Sequence, residues 1–289
     1  MADELRPFFE QVQAHYDLSD DFFALFLDPS RTYSCAYFER EGMSLEEAQT
    51  AKIDLALAKL DLRPGLRLLD IGCGWGSLAR RAATRHHVRV VGLTLSRNQH
   101  AYATRLAEAI EGGPGGPEFR LAGWEEFDEP VDRIVSIGAF EHFRVERHAA
   151  FFARCKKILP RGGRMLLHTI VRPDLETLTS KGIRVEHEHV LFAKFIRKHI
   201  FPGGQLCAPR AIVRHATANG FRVDRIHSLQ PHYARTLDHW ARNLRAAHER
   251  ATALTSADTH GTYMRYLTGC ADLFRSGHID VIQFTLVAT

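Results

Sequence analysis

The sequence predicts an α/β protein: a doubly wound, mostly parallel, seven-stranded sheet with helical lid insertions. Three observations predict it. Short apolar runs alternate with helix-period segments between residues 66 and 171, and right-handed crossovers fold such a pattern into a parallel sheet. The first apolar run ends in a glycine-rich turn, Gly72-Cys73-Gly74-Trp75-Gly76, and a helix pattern opens directly after it. Two more strand-like runs come late, at 221–229 and 279–287, each preceded by a long helical stretch.

Taken in order, residues 1–62 read as an N-terminal helical cap. Its clearest helix starts at Ser44, where Ser44-Leu45-Glu46-Glu47 is a capping box and Ile53, Ala56, Leu57 and Leu60 recur at helical spacing. Pro64-Gly65 ends it. Leu66–Ile71 is the first strand, the glycine turn follows, and a helix begins near Ser77. Residues 88–95 form a second strand and 98–111 a second helix, and Gly112-Gly-Pro-Gly-Gly-Pro117 is a surface loop. Strands at 119–121, 131–137 and 165–171 follow, with a helix near 147–158. The whole chain reads as one domain. A cofactor-binding core over 63–171 is completed by strands 221–229 and 279–289. Insertions 172–220 and 230–278 form substrate lids, because stretches of this length usually carry specificity.

Composition narrows the function. Apolar residues make up 45% and charged ones 25%, ordinary for a soluble protein. No apolar run approaches the ~20 residues that span a bilayer, and the start MADELRPFFE lacks a signal peptide's order, so a cytoplasmic protein is expected. Cys35, Cys73, Cys155, Cys207 and Cys270 include no C-x-x-C pair, which argues against a disulfide framework or a cysteine zinc site. His187 and His189 are spaced i, i+2 and point to different helix faces, so no metal site is expected. The net charge of +4 is spread among acids, too dispersed to imply nucleic acid but compatible with an acidic carrier or an anionic membrane surface.

The glycine turn is the most informative stretch. Glycines let the backbone turn off the strand and approach a ligand, at the point where open α/β sheets bind ligands. Asp70 precedes Gly72 by two residues. Its acid suits an ammonium-bearing ligand such as S-adenosylmethionine and would repel pyrophosphate. After the second strand the chain carries neutral Thr94 and Gln99 where many methyltransferases place an acid for the ribose. Trp124 and Glu125 follow the third strand and suit an adenine. Trp124 taken alone reads equally as a core aromatic.

Longer motifs go further. Val12-Gln-Ala-His-Tyr-Asp-Leu-Ser-Asp20, Thr32-Tyr-Ser-Cys-Ala-Tyr-Phe38, Leu68 through Gly76 and Gly92-Leu-Thr-Leu-Ser96 occur in order. Pro130 through Phe143, Ile200-Phe-Pro-Gly-Gly204, Ser228-Leu-Gln-Pro-His-Tyr233 and Tyr266-Leu-Thr-Gly-Cys270 complete them. The set resembles the mycolic acid cyclopropane synthases, relatives of the bacterial cyclopropane fatty-acyl synthases, over nearly the whole chain. The loop at 112–117 and the diverged insertion at 174–190 stand apart from that resemblance.

The resemblance implies a Rossmann-like class I methyltransferase. It places the cofactor among Tyr33, Ser34, Leu68, Leu69, Asp70, Ile71, Gly72, Cys73, Gly74, Trp75, Gly76, Thr94, Leu95, Ser96, Arg97, Asn98, Gln99, Trp124 and Glu125. It implies a bicarbonate base held near Cys35, Ile137, Glu141, His168 and Tyr233, and family members mark Cys270 as well. It further implies a long acyl, meromycolate-like substrate, and an acyl carrier protein to deliver it.

The chemistry asks for such residues. An alkene is a poor nucleophile, so the sulfonium methyl must be held in line. The resulting carbocation needs π faces and no water. Plain readings stand beside the functional ones. Cys35 and Cys270 also read as small buried apolar groups, His168 as a sheet cap and Tyr233 as a loop terminus. Glu141 follows an apolar strand, where an ionised carboxylate needs a partner, and this favours function. Rival functions are a hydroxylated or methyl-branched lipid product, methylation of a small metabolite, and lipid binding without catalysis.

Overall fold

The computed structural model describes residues 5–7, 9, 18–109 and 116–289. Residues 12–17 of the first motif, with Tyr16, and residues 112–115 of the glycine–proline loop lie outside the described residues.

Seven strands form one sheet in the order β3-β2-β1-β4-β5-β7-β6. They are β1 (Arg67–Ile71), β2 (Arg89–Thr94), β3 (Glu118–Leu121), β4 (Arg133–Ile137), β5 (Arg164–Val171), β6 (Phe221–Ser228) and β7 (Asp280–Ala288). The first five run parallel, whereas β7 lies antiparallel between β5 and β6. The strand order reverses between β1 and β4, which opens a crevice beyond their carboxyl ends. Leu68 and Leu69 pack into separate apolar clusters, as expected of a strand buried on both faces.

Helices α1 (Asp20–Ala24) and α2 (Leu45–Ala58) precede the sheet. The capping box of α2 is complete: Glu47 N–H donates to Ser44 Oγ at 3.2 Å, and Ser44 N–H donates to Glu47 Oε2 at 2.8 Å. Where the sequence reading expects helices throughout the first 62 residues, residues 25–44 are irregular. Tertiary hydrogen bonds replace the helical ones. Ala36 N–H donates to Thr236 Oγ1 at 3.0 Å and Tyr37 N–H to Ala48 O at 2.9 Å, while the Gln49 amide donates to the carbonyls of Thr32 and Ser34. This lets Tyr33 and Ser34 face the sheet's crevice instead of coiling on themselves.

The core helices are α3 (Ser77–His86), α4 (Arg97–Glu108) and α5 (His148–Ile158). After β5 come α6 (Leu175–Ser180), α7 (His187–His199) and α8 (Pro209–Ala218); after β6 come α9 (Gln230–Ala246), α10 (His248–Leu254) and α11 (Ala257–Arg275). Helix α9 buries Tyr233, Leu237, Trp240 and Leu244 at helical spacing, and α11 buries Tyr263, Tyr266, Leu267 and Phe274. These faces join Phe22, Phe23 and Phe26 of the N-terminal segment in one apolar cluster above the crevice. Helix α7 lies against α11 so closely that a Cβ on Gly269 would overlap the Phe192 ring.

Candidate active site

The crevice begins with the turn after β1. Gly72, Gly74 and Gly76 all take positive φ, +79°, +55° and +80°, a region that L side chains rarely enter. The amides of Gly72 and Cys73 both donate to Leu93 O at 2.9 Å and tie the turn to β2. A Cβ on Gly74 would point into open space, whereas one on Gly72 would strike Ala139. Gly74 therefore leaves room for a ligand, and Gly72 leaves room for the protein itself.

Tyr33, Ser34, Asp70, Gly72, Cys73, Gly74, Trp75, Thr94, Leu95, Gln99, Trp124, Glu125 and Ile137 all line this one cavity, with Ile71. Leu68, Leu69, Gly76, Ser96, Arg97 and Asn98 lie outside its lining. The two leucines are sheet core, and a Cβ on Gly76 would meet the Phe119 ring. Ser96 caps α4 by accepting from Gln99 N–H, and Arg97 and Asn98 are exposed on its first turn.

Three polar groups stand in the cavity wall. Asp70 Oδ2 is buried without a hydrogen-bond partner among the described residues, as is Trp124 Nε1. Burial raises the Asp70 carboxyl to about 7, even with the Lys52 ammonium nearby, so a cation here would restore its ionised form. The third group is an amide: the Thr94 hydroxyl donates to Gln99 Oε1 at 2.8 Å, which leaves the Gln99 NH₂ as the donor. Glu125 Oε1 accepts from Arg147 at 3.3 Å. Burial raises the Glu125 pKa.

A second group of polar side chains is buried outside the crevice lining. Glu141 follows β4 on a single 3₁₀ turn, and its Oε1 accepts from Ile170 N–H at 2.7 Å. Its Oε2 is buried with no partner among the described residues, and burial raises its pKa to about 7. His168 pairs with Ile137 across β4 and β5. The His168 Nε2 is likewise buried and unpartnered among the described residues, and burial holds its ring neutral. Burial also pushes the Tyr233 phenol up, with Cys35, Tyr33, Glu141 and Cys270 close enough to add to the effect. Cys35 is fully buried. Desolvation pushes its thiol up strongly, and raises that of Cys270 to about 12. Thiols held protonated are poor nucleophiles.

Aromatic rings wall this region. Tyr33 stands 5.3 Å from both Phe23 and Trp240. Tyr233 stands 4.6 Å from Phe274, and the Tyr33 hydroxyl donates to that of Tyr266 at 3.2 Å. The sequence reading missed Lys52, which lines the cavity at 1% exposure and donates to Ser34 Oγ at 2.8 Å. Burial lowers its pKa to about 8. Its signal lay in helical spacing, because Gln49, Lys52, Ala56 and Lys59 share the face of α2 that carries Ala48 and Ile53. His142 and Phe143 also line the cavity unforeseen.

The profile of the mycolic acid cyclopropane synthetase family matches residues 3–284. The chain belongs to that family. It is 56% identical over 286 residues to cyclopropane mycolic acid synthase 3 of Mycobacterium tuberculosis, covering 99% of both chains. Identity to cyclopropane mycolic acid synthase MmaA2 of the same species is also 56%, again over 99% of each chain. The solved structure of the cyclopropane synthase MmaA2 from Mycobacterium tuberculosis superimposes with a TM-score of 0.97, covering 99% of this chain and 100% of that one. Mycolic acid cyclopropane synthase CmaA1 complexed with SAH and CTAB superimposes at 0.95 with 55% identity, covering 99% and 100%. Coclaurine N-methyltransferase, at 19% identity and TM-score 0.80, shares the fold. This family member is an S-adenosylmethionine-dependent methyltransferase of the cyclopropane synthase type with a class I, Rossmann-like fold.

Proposed function

We propose that the enzyme closes a cyclopropane ring on a cis double bond of a long, meromycolate-like acyl chain, presented by acyl carrier protein in the cytoplasm. The observation that carries this reading is a pair of buried polar atoms, Glu141 Oε2 and His168 Nε2. A buried carboxylate oxygen and a buried imidazole nitrogen, both unpartnered among the described residues, lie beside a wall of aromatic rings and behind a methyl-donor cleft. The CTAB in the CmaA1 complex, a cation on a long alkyl chain, supports a lipid-shaped site.

S-adenosylmethionine supplies an electrophilic methyl on a sulfonium. Asp70 faces its ammonium, and Ser34, oriented by Lys52, faces its carboxylate. The amides of the Gly72–Gly76 turn and the first turn of α3 line the donor's path. Thr94 through Gln99 serve the ribose, Gln99 by its NH₂, while Trp124 and Glu125 hold the adenine. Bound there, the donor would give its methyl to the alkene as the sulfonium S–C bond breaks, leaving a carbocation on the acyl chain. Tyr33, Tyr233, Tyr266 and Trp240 would offer their π faces to the resulting carbocation, and burial among these rings would keep water from capturing it.

Ring closure requires loss of a proton from the former methyl group. Bicarbonate supplies a base of suitable strength there. The chain's residues fit it: His168 Nε2–H and the Tyr233 hydroxyl would donate, the backbone near Ile137 would add a further contact, and Glu141 Oε2 would accept the anion's own hydrogen. That last contact selects an anion bearing a proton. Cys35 and Cys270 complete the wall as apolar groups. The five cysteines are all free, which supports a reducing compartment such as the cytoplasm.

The test is the product. Lipids from a mycolate-producing host expressing the enzyme are analysed by mass spectrometry and proton NMR. Cyclopropane protons at high field, with a 14-dalton gain per modified site, are expected. A hydroxylated or methyl-branched chain, or no lipid change, overturns the reading.

A further inference from the structure

Three polar residues stand in one row across the antiparallel edge of the sheet. Register pairs His168 of β5 with Gln283 of β7, and Gln283 with His227 of β6. Directly paired residues share a sheet face, so all three side chains emerge on the same side. Lys59, which caps the carboxyl end of α2, closes over the row. Its ammonium donates to Gln283 Oε1 and meets His227 Nδ1 at 2.9 Å. Gln283 Nε2 meets His168 Nδ1 at 3.2 Å. Gln283 is fully buried, and His168 and Lys59 are 1% and 9% exposed. None of these contacts belongs to the glycine turn or to the aromatic wall.

The direction of every hydrogen bond in the row follows from donor chemistry. An ammonium has hydrogens to give and no lone pair, so the Gln283 carbonyl must face Lys59. The NH₂ end must then face His168, and an N–H pointing at Nδ1 makes Nδ1 the acceptor. Burial and two nearby lysines keep the ring from taking a second proton. A neutral imidazole with an accepting Nδ1 carries its only hydrogen on Nε2, the atom that is buried without a partner among the described residues. Reversing the Gln283 amide would set NH₂ against ammonium and the carbonyl against an imidazole lone pair.

We propose that Lys59 and Gln283 are positioning residues that lock His168 in its neutral Nε2–H tautomer and make it an obligate donor to the anion of the reaction site. The anion's role rests on the function proposed above; the lock itself rests on the row alone. A leucine or methionine at 283 would fill the same space in the apolar stretch Val281-Ile282-Gln283-Phe284. The buried amide there has a chemical task.

The test reads the imidazole directly. Full-length enzyme labelled with ¹⁵N-histidine is observed by long-range proton–nitrogen NMR, and His168 is assigned by its loss in His168→Gln. Wild type is expected to show a protonated Nε2 and a bare Nδ1. In Gln283→Glu the carboxylate accepts from both Lys59 and His168, so Nδ1 becomes protonated. In Lys59→Met the amide is released and the two tautomers mix. A wild-type Nδ1–H, or a His168 ring unchanged in both folded variants, overturns the lock. Sodium bicarbonate titrations of turnover then test the link to the anion. Gln283→Glu is expected to lower turnover about 10²-fold, as expected for a misoriented donor. S-adenosylmethionine affinity by calorimetry should stay within about twofold, since the row lies outside the donor cleft. If the tautomer switches as expected while wild-type turnover ignores bicarbonate, the lock stands and the base assignment falls.

Discussion

At the scale of single residues, the buried carboxyl of Glu141 trades stability for readiness. Glu141 sits where burial raises its carboxyl from 4.5 to about 7. The folded state therefore holds this proton more tightly than the unfolded chain. That contribution to stability is fully present below about pH 4.5 and drains away as pH rises through about 7. Glu141→Gln keeps the contact from Ile170 N–H and removes the titration. It should raise stability above pH 7, on the order of 1–3 kcal/mol, while lowering turnover by about 10²-fold or more. Tyr233→Phe should lower turnover similarly, through loss of an oriented donor. Thermal melts at pH 5 and pH 8, beside a single-turnover assay, check both claims. A Glu141→Gln enzyme that is less stable at pH 8 and fully active would show that the carboxylate serves packing alone.

At the scale of elements, α7 divides its labour by face. Phe195 and Ile196 pack onto the apolar cluster beneath, and Arg265 lies over the Phe195 ring at 4.2 Å. Leu191 is 47% exposed, because it falls on the outward turn. Lys194, Arg197 and Lys198 are exposed at i, i+3 and i+4 and so share one face. A basic face rimmed by exposed Val190 and Leu191 suits an acidic carrier protein. Reversing all three charges should slow turnover of carrier-bound substrate about tenfold at low salt and flatten its salt dependence. Turnover of a carrier-free acyl chain should hold. Equal rates for wild type and variant on carrier-bound substrate would move the dock elsewhere.

At the scale of the whole molecule, folding buries many histidines in their neutral form. Burial lowers His142, His148 and His227 from 6.5 to about 4, and His168 falls well below its usual value. Here the unfolded chain takes protons that the folded one refuses. Stability is therefore lost as pH falls from about 6.5 toward about 4. With His215, His232, His239 and His260, also lowered by burial, eight such groups outnumber the four carboxyls that burial raises, Asp70, Glu125, Glu141 and Asp280, which act in the opposite sense. The melting temperature of the ligand-free enzyme should drop over that window. His148, stacked on Phe140 at 4.0 Å with neither ring nitrogen partnered among the described residues, is the clearest contributor. His148→Phe should flatten the drop, by on the order of 1–3 kcal/mol at pH 5. A melting profile unchanged by that substitution would assign the acid loss to other groups.

The sequence by itself determined the parallel sheet, its glycine turn and the family. Strand runs, capping boxes and G-x-G spacing are local signals, and each needs only a few neighbouring residues to state it. Tertiary structure alone decided which polar residues meet. The irregular path of 25–44 depends on hydrogen bonds from α2 and α9, so helix propensity could not foresee it. Lys52 and Gln283 look like ordinary polar interruptions of an amphipathic helix and an apolar strand. They gain a function only when α2 is laid over the sheet, because a buried charge or amide is defined by partners distant in sequence: Lys59 and Gln283, for example, stand 224 residues apart. Local chemistry writes the elements into the chain, and the direction of a buried hydrogen bond exists only once those elements have packed.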